Sequence, residues 1–284
     1  MFKRIMTLAA ISVALLLFSA CGAAFIGAVM LPSPTSLTTV SGEGNFSGLR
    51  VGGIFDVSYE IADYSSFDII LPENWLPYLD YSISSGILDI ALSGGISGNV
   101  SGLEVRIRAP YLDNVRISGS ANTLSWDIIE VQHFIVEASG ASNFEARVYA
   151  QSADITASGS SDISLTGIFG GGVEVSASGA SEILIGDLQA DFVVVEASGS
   201  SAVTLQGSAA NVDLGAGGAS RIDAQNLEAI TATADSSGSS NISVWVSESL
   251  SARASGASSV RYRGNPTTID RSTSGSGSIG AEQY

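Results

Sequence analysis

His133 is the first residue to consider for catalysis, because it is the only histidine in the chain. A Ser-His-Asp hydrolase would have to use it as the general base. It lies in the strand-like stretch VQHFIVEA, and serines are so numerous that a Ser–His pairing is not a specific signal. The sequence also lacks the G-x-S-x-G nucleophile motif, the phosphate-binding GK[ST] and the zinc-type H-E-x-x-H. We interpret His133 as an ordinary strand residue.

Asp162 and Glu182 form the best carboxylate pair, because each lies three residues after a repeated glycine. Carboxylates on adjacent coils can act as general acid and base on a polysaccharide, or hold a Ca²⁺ ion. The calcium-binding repeat G-G-x-G-x-D is absent, however. A solvated face is the simpler interpretation, and the sequence predicts no bound metal and no cofactor.

Aromatic residues crowd into the first part of the folded region, where sugar rings could stack on them. Trp75, Tyr78 and Tyr81 lie in the loop-like stretch PENWLPYLDY. Most aromatic side chains in a small β domain belong to its core, which is the default interpretation. If the chain has a recognition surface, these three residues are the first candidates for it.

The element that must position these residues is a repeat built around Ser-Gly-Ala/Ser. Stretches such as EASGASNFE and EASGSSAVT recur, and successive motif glycines are 18 to 21 residues apart. A period of about 20 residues with strand chemistry in each unit is typical of a β-solenoid, whereas a propeller blade is about twice as long. The repeated turn glycines are Gly119, Gly140, Gly159, Gly179, Gly199, Gly218, Gly238, Gly256 and Gly275.

Apolar residues flank each motif at fixed distances, as Val136, Ala138 and Phe144 do around the second one. Alternate residues share one face of a strand, so these columns are predicted to point inward and stack coil upon coil. Glycine permits the sharp turn at each corner. Two serine columns, represented by Ser139 and Ser142, could present hydroxyls to a glycan. We favour hydrogen bonds to the turn backbone.

The N-terminus predicts export. Lys3 and Arg4 precede a long apolar run, and small residues lead to Cys21, so residues 1–21 are predicted to be a lipoprotein signal with Cys21 as the lipidation site. The apolar run continues past Cys21 to Leu31, which is long enough to span a membrane. An uncleaved N-terminal transmembrane anchor is therefore the alternative.

The remainder is predicted to be all-β, with no convincing helical period. Residues 22–44 are predicted to be a flexible tether, 45–112 an N-terminal β region, 113–280 the solenoid repeats and 281–284 a tail. The fold class is a parallel β-helix or β-solenoid. Its N-terminal region either caps or extends the first coil, or forms a separate small β domain.

Composition excludes some classes of partner. The formal net charge of −16 repels nucleic acid and anionic lipid, so we predict no nucleic-acid partner and membrane contact only through the N-terminal lipid or anchor. The single cysteine excludes an intrachain disulfide. The chain is predicted to lie in the cell envelope, facing an unidentified glycan or protein ligand.

The order of these segments resembles one known family. FSGLRVGGIFDVSYE, LEVRIRAPYLDNVRISGSAN, the SGAS coils and VRYRGNPTTIDRSTSGSGSI follow one another as in the bacterial head GIN domain family, over about residues 43–280. That family was earlier a domain of unknown function and is described as autotransporter adhesin heads. The resemblance implies an exported, often lipid-anchored β-solenoid without established catalytic residues.

Three functions are consistent with this sequence. We expect a non-enzymatic surface adhesin or interaction module. One alternative is a carbohydrate-active enzyme, a polysaccharide lyase or hydrolase that uses Asp162 and Glu182. The other is a passive envelope component whose contacts are protein partners.

Overall fold

The computed structural model describes residues 30–94 and 102–282, and it confirms the all-β prediction. One short 3₁₀ helix, Glu73–Tyr78, interrupts the strands. The strands are β1 (Leu37–Glu43), β2 (Gly48–Gly53), β3 (Asp56–Ile61), β4 (Ser66–Pro72), β5 (Leu79–Ser84), β6 (Ile87–Leu92), β7 (Glu104–Ala109), β8 (Asn114–Gly119), β9 (Asn122–Trp126), β10 (Ile129–Ala138), β11 (Asn143–Ala157), β12 (Asp162–Phe169), β13 (Gly172–Ala177), β14 (Glu182–Ala197), β15 (Ala202–Ala216), β16 (Arg221–Ser236), β17 (Asn241–Ala254), β18 (Ser259–Arg263), β19 (Thr268–Thr273) and β20 (Ser278–Ala281).

Each coil consists of two strand segments joined at a Ser-Gly corner. Segments that precede the corner pair in parallel with the same segments of neighbouring coils and form sheet A, as β8, the end of β10 and the end of β11 do. Segments that follow the corner form sheet B, as β12 and the starts of β11 and β14 do. The alternation of apolar and polar residues places one face of both sheets inside a common core, as the sequence predicts.

The corner is the most regular part of the solenoid. Gly159 and Gly179 have φ values of +74° and +73°, in the left-handed region that glycine adopts readily. The amide of Ala180 donates to the carbonyl of Gly159 at 2.7 Å, and the same bond recurs from coil to coil. A Cβ built on Gly179 would lie 2.5 Å from that carbonyl oxygen. Glycine is therefore required twice over, by the backbone angle and by the closeness of the next coil.

The second bend, which joins sheet B to the next sheet-A segment, is less regular, and we call it the far bend. It includes residues 110–113, 127–132, 147–151, 167–171, 186–191 and 206–210. The register between β14 and β15 shifts between Ile185 and Leu188, and that between β15 and β16 shifts between Thr204 and Gln206. Differences in coil length are therefore absorbed at the far bend, while the corners stay aligned.

The N-terminal strands belong to the same stack but do not follow chain order. Strands β2 and β3 pair in parallel with β8 and β9 on one side and with β6 and β7 on the other. Strand β4 then pairs antiparallel with β7, and β5 antiparallel with β6. The N-terminal region therefore extends the solenoid and closes its end with antiparallel strands.

The predicted tether over residues 22–44 needs a correction. Residues 37–43 form β1, an edge strand that pairs antiparallel with β4 along its whole length. Leu31 is buried, and the hydroxyl of Thr35 donates to the side chain of Asn74 at 3.0 Å. Main-chain pairing with a neighbouring strand orders a stretch whose composition alone suggests a linker.

A charged side chain and an aromatic side chain cover the C-terminal end of the solenoid. Arg271 occupies an inward-facing column, and its guanidinium lies 5.0 Å from the ring centroid of Tyr262 in the previous coil. The guanidinium also donates to the Tyr262 hydroxyl. A cation over an aromatic face covers the last apolar layer, and its charge remains accessible to water.

The serine column two residues after each corner glycine is structural. Its members are buried, and Ser201 is typical, because its hydroxyl lies 2.9 Å from the carbonyl oxygen of Ser198 and 3.2 Å from that of Ala177. The hydroxyl therefore connects its own turn to the preceding coil. The column that contains Ser139 lies beside it on the outer surface.

The substitution Ser201→Ala is expected to lower the free energy of unfolding by about 1 kcal/mol, because it removes a buried hydrogen bond between coils. Ser200→Ala is the matched control, since Ser200 lies on the same turn but is exposed. Urea unfolding of fragment 30–284, which contains every described strand, measures the difference. Equal stability of the two variants would contradict a structural role for the buried column.

Candidate functional site

Among the described residues, a cleft of about 1050 Å³ lies at the far bend and is open to solvent. Its size is at the upper end of the range typical of ligand-binding pockets. It lies where the bends of the coils that contain β8, β10 and β11 meet. Residues that line it include Tyr111, Asp113, Asn114, Glu130, His133 and Tyr149.

Buried neighbours fix the orientation of the cleft residues. Leu112 is fully buried in the linker between β7 and β8, so Tyr111 on one side of it is directed outward. The amide of Asp113 donates to the carbonyl of Ser47 at 2.9 Å, which fastens the same linker. Tyr149 follows fully buried Val148 in β11, and strand alternation directs it to the surface. The two tyrosines are 49% and 38% exposed.

The structure also brings together a serine, a histidine and an aspartate beside the cleft. His133 pairs in register with Ser152, and the Oγ of Ser152 lies 2.7 Å from Nδ1 of His133. Nε2 of His133 lies 3.4 Å from Oδ2 of Asp154. These are the residue types of a nucleophile, a base and an orienting acid.

The exposure of this trio favours binding over acyl transfer. The side chains of His133 and Asp154 are 46% and 49% exposed, so water competes for each hydrogen bond. A catalytic triad gains its power from a preorganised site that excludes water. As arranged here, the three groups are well suited to exchange hydrogen bonds with a polar ligand.

Asp162 and Glu182 lie elsewhere, on sheet B. They are partners in the register of β12 and β14, as the repeat spacing predicts, and both are exposed. His133 and Asp154 lie on the outer face of sheet A. The structure therefore does not combine the predicted carboxylate pair with the cleft in one site.

The aromatic stretch around Trp75 forms the 3₁₀ helix and β5 rather than a loop. Trp75 is 1% exposed, and its indole nitrogen donates to the carbonyl of Pro32 at 2.8 Å. Burial therefore removes Trp75 from the candidate recognition surface. Tyr78 packs against the core, whereas Tyr81 is 50% exposed, with its ring edge-on to Phe67 at 5.7 Å between centroids.

A charged cluster on sheet B holds the N-terminal strands together. The hydroxyl of Ser41 donates to Asp68 at 2.6 Å, and Arg108 donates to the other carboxylate oxygen at 3.2 Å. The hydrogen bond from Ser41, with a further contribution from Arg108, holds the pKa of the Asp68 carboxyl below its ordinary value. Arg108 also pairs with Glu60. Because Arg108 connects β7 to the carboxylates of both β3 and β4, we assign the cluster a structural role.

Part of the cleft could have been found from the repeat spacing. His133 and Ser152 each lie seven residues before a motif glycine, and Asp154 lies five before the same glycine as Ser152. Aligning the outward columns at these positions predicts that the three side chains are neighbours on one face. Tyr111 gives no such signal, because it lies in a linker outside the repeat.

The predictions for the N-terminus concern residues that the structure does not describe. The signal over residues 1–21 and the lipidation site Cys21 lie outside the described residues. Within residues 30–94 and 102–282, no helix is sufficiently long and apolar to cross a membrane. The same part of the chain holds no group of three or more His, Cys, Asp or Glu side chains arranged to bind a metal ion.

The fold defines the class of protein as a parallel β-solenoid, and an open cleft lies at its far bend. A family model described as "Putative auto-transporter adhesin, head GIN domain" matches residues 45–202 and 168–266. The chain therefore belongs to the head GIN domain family. This membership supports a surface adhesin-like role and an exported protein. No curated protein matches the sequence at a significant level.

Solved structures share the fold. A "putative adhesin" of Parabacteroides distasonis is 20% identical with a TM-score of 0.68, and the match covers 89% of this chain and 99% of that one. A "putative adhesin" of Parabacteroides merdae is 18% identical with a TM-score of 0.63, covering 90% and 100%. A "Putative lipid binding protein" of Parabacteroides distasonis is 21% identical with a TM-score of 0.61, covering 87% and 97%. At these identities the likeness establishes the solenoid architecture alone.

Proposed function

We propose that the protein is a non-enzymatic adhesin of the cell envelope that presents a rigid β-solenoid to a surface ligand. The observation that carries the proposal is the open cleft of about 1050 Å³, whose tyrosine, amide and carboxylate side chains can contact and hydrogen-bond a surface ligand. Stacked coils suit this role, because each coil supports its neighbours and the surface they share is preorganised.

The anchoring part of the proposal rests on the sequence. The basic residues, the apolar run and the small residues before Cys21 support export and attachment through a lipid on that cysteine. Metabolic labelling with palmitate, compared between the natural chain and Cys21→Ser, distinguishes a lipidated protein from one held by an uncleaved anchor.

The test must also distinguish an adhesin from an enzyme. Ser152 and His133 have the distance of a nucleophile and its base, and Asp162 and Glu182 are adjacent carboxylates. Either pair would act on a glycan or an ester, and each can be removed by one substitution. A passive envelope component with protein partners is the remaining alternative.

We expect fragment 30–284 to co-sediment saturably with cell walls or insoluble polysaccharides and to release no soluble product. The experiment titrates the fragment against a panel of such particles and assays each supernatant for oligosaccharide and for acid release. Bovine serum albumin controls for trapping in the pellet.

Each of the other outcomes would change the proposed function. Product release that is lost in Ser152→Ala or in Asp162→Ala would replace the adhesin by an enzyme and identify its site. Absence of saturable binding to every particle would contradict the adhesin and favour the envelope component with protein partners.

A further inference from the structure

The cleft is the middle part of a longer groove along the far bend. A depression of about 330 Å³, lined in part by Ser47 and Gly86, lies where β2 and β6 begin. Another, of about 520 Å³, is lined in part by Thr166 and Gln189, at the bends before β13 and within β14. All three concavities therefore lie on the same side of the solenoid, from its N-terminal coils to its middle.

A tyrosine lies at each junction of this far-bend groove. Tyr111 lines both the central cleft and the depression before β2 and β6. Tyr149 lines both the central cleft and the depression near Gln189. Two partly exposed aromatic rings, with carboxylate and amide side chains between them, match a ligand that extends through several units and offers flat apolar faces at intervals.

The charges of the groove select among such ligands. The central cleft is lined by Asp113 and Glu130, together with amide side chains such as Asn114, and no lysine or arginine is among its described lining residues. Arg147 lines the depression near Gln189, but Asp187 lines it too. A polyanion would meet uncompensated carboxylates in a chain that already carries a net charge of −16.

We propose that the far-bend groove binds a neutral glycan chain, with sugar rings stacked on Tyr111 and Tyr149 and hydroxyls bonded to the carboxylates and amides between them. This inference rests on the proposed adhesin function and names the site and the ligand class for it. Pyranose rings combine an apolar face with a rim of hydroxyls, which matches the alternation of aromatic and polar groups.

An extended peptide matches the groove less well. A peptide that adds to a sheet forms main-chain hydrogen bonds with a free strand edge. The groove crosses the bends of β8, β10 and β11, and each of these strands is already paired with neighbours. The edges of these strands are therefore unavailable to a peptide main chain.

Calorimetric titration of fragment 30–284 tests the proposal with hexamers of glucose, mannose and N-acetylglucosamine, and with polygalacturonate as the acidic counterpart. We expect saturable binding of at least one neutral hexamer and none of polygalacturonate. Tyr111→Ala and Tyr149→Ala are each expected to weaken that binding about tenfold, because each removes one stacking platform. Circular dichroism of both variants should show an unchanged melting temperature.

Tyr81→Ala is the matched control, because Tyr81 has the same residue type and similar exposure but lies at the N-terminal end outside the groove. Its affinity should equal that of the natural chain. The proposal fails if no neutral hexamer binds, if polygalacturonate binds instead, or if only Tyr81→Ala loses binding. Adhesion to particles that survives in both groove variants would reject this site and leave the adhesin function standing.

Discussion

Replacing Gly179 by alanine is expected to destabilise fragment 30–284 by about 2–4 kcal/mol, which is large for the addition of one methyl group. The φ of +73° costs an L-residue energy that glycine does not pay, and the new Cβ would lie 2.5 Å from the carbonyl oxygen of Gly159. That oxygen is fixed, because it accepts the amide of Ala180 at 2.7 Å. Relief of the clash would break the bond that sets the spacing between coils. Urea unfolding followed by circular dichroism measures the loss.

Gly172→Ala is the control for this prediction. Gly172 begins β13, and a Cβ built on it would have no neighbouring atom within 4 Å. Its substitution is expected to change stability by less than about 1 kcal/mol, in either direction. If Gly179→Ala and Gly172→Ala lose the same stability, the corner is not the constraint that its geometry indicates.

The same corner explains why so much of the fold can be predicted from the sequence. A turn that only glycine can make must recur wherever the chain turns, and inward columns must be apolar wherever coils stack. The spacing of Asp162 and Glu182 from their glycines therefore predicts their register correctly. Burial of the column that contains Ser142 follows the same logic, because its hydroxyls supply hydrogen bonds that the turn backbone needs.

The stacking order of the N-terminal strands could not be predicted in this way. Local alternation shows that 48–53 and 87–92 are strands, but it carries no information on which of them lies next to β8. The structure places β2 there and β6 one rung further out. Local alternation does not identify strand β1, because an edge strand needs no buried face, and only its main-chain pairing with β4 reveals it.

The candidate site lies at the far bend, where the repeat is least regular. Residue spacing is informative at the corner, because neighbouring coils are locked in register there. At the far bend the number of residues changes from coil to coil. The residues that line a groove there therefore do not recur at a fixed spacing in the sequence. His133, Ser152 and Asp154 could be aligned because they lie within sheet A, whereas Tyr111 depends on how one linker crosses the end of β8.

Trp75→Ala is expected to cost about 3–5 kcal/mol, because it removes the largest fully buried side chain of the described residues. Its indole also donates to the carbonyl of Pro32, so the substitution releases the segment that leads into β1. Trp245→Ala is the matched control. Trp245 is half-buried with Arg263 stacked 4.5 Å from its ring centroid, and we expect its loss to cost about 1 kcal/mol.

Hydrogen exchange of the Trp75→Ala variant shows which strands lose protection first. A solenoid transmits stability from coil to coil, so an opened end is expected to expose β1, β4 and β5 first and to leave the central coils around Gly199 protected. A uniform loss of protection along the whole chain would mean that the end and the middle unfold as one unit. Unchanged protection of β1 and β4 would contradict the role of Trp75 in closing the N-terminal end, since water would then have gained no access to the core that its side chain covers.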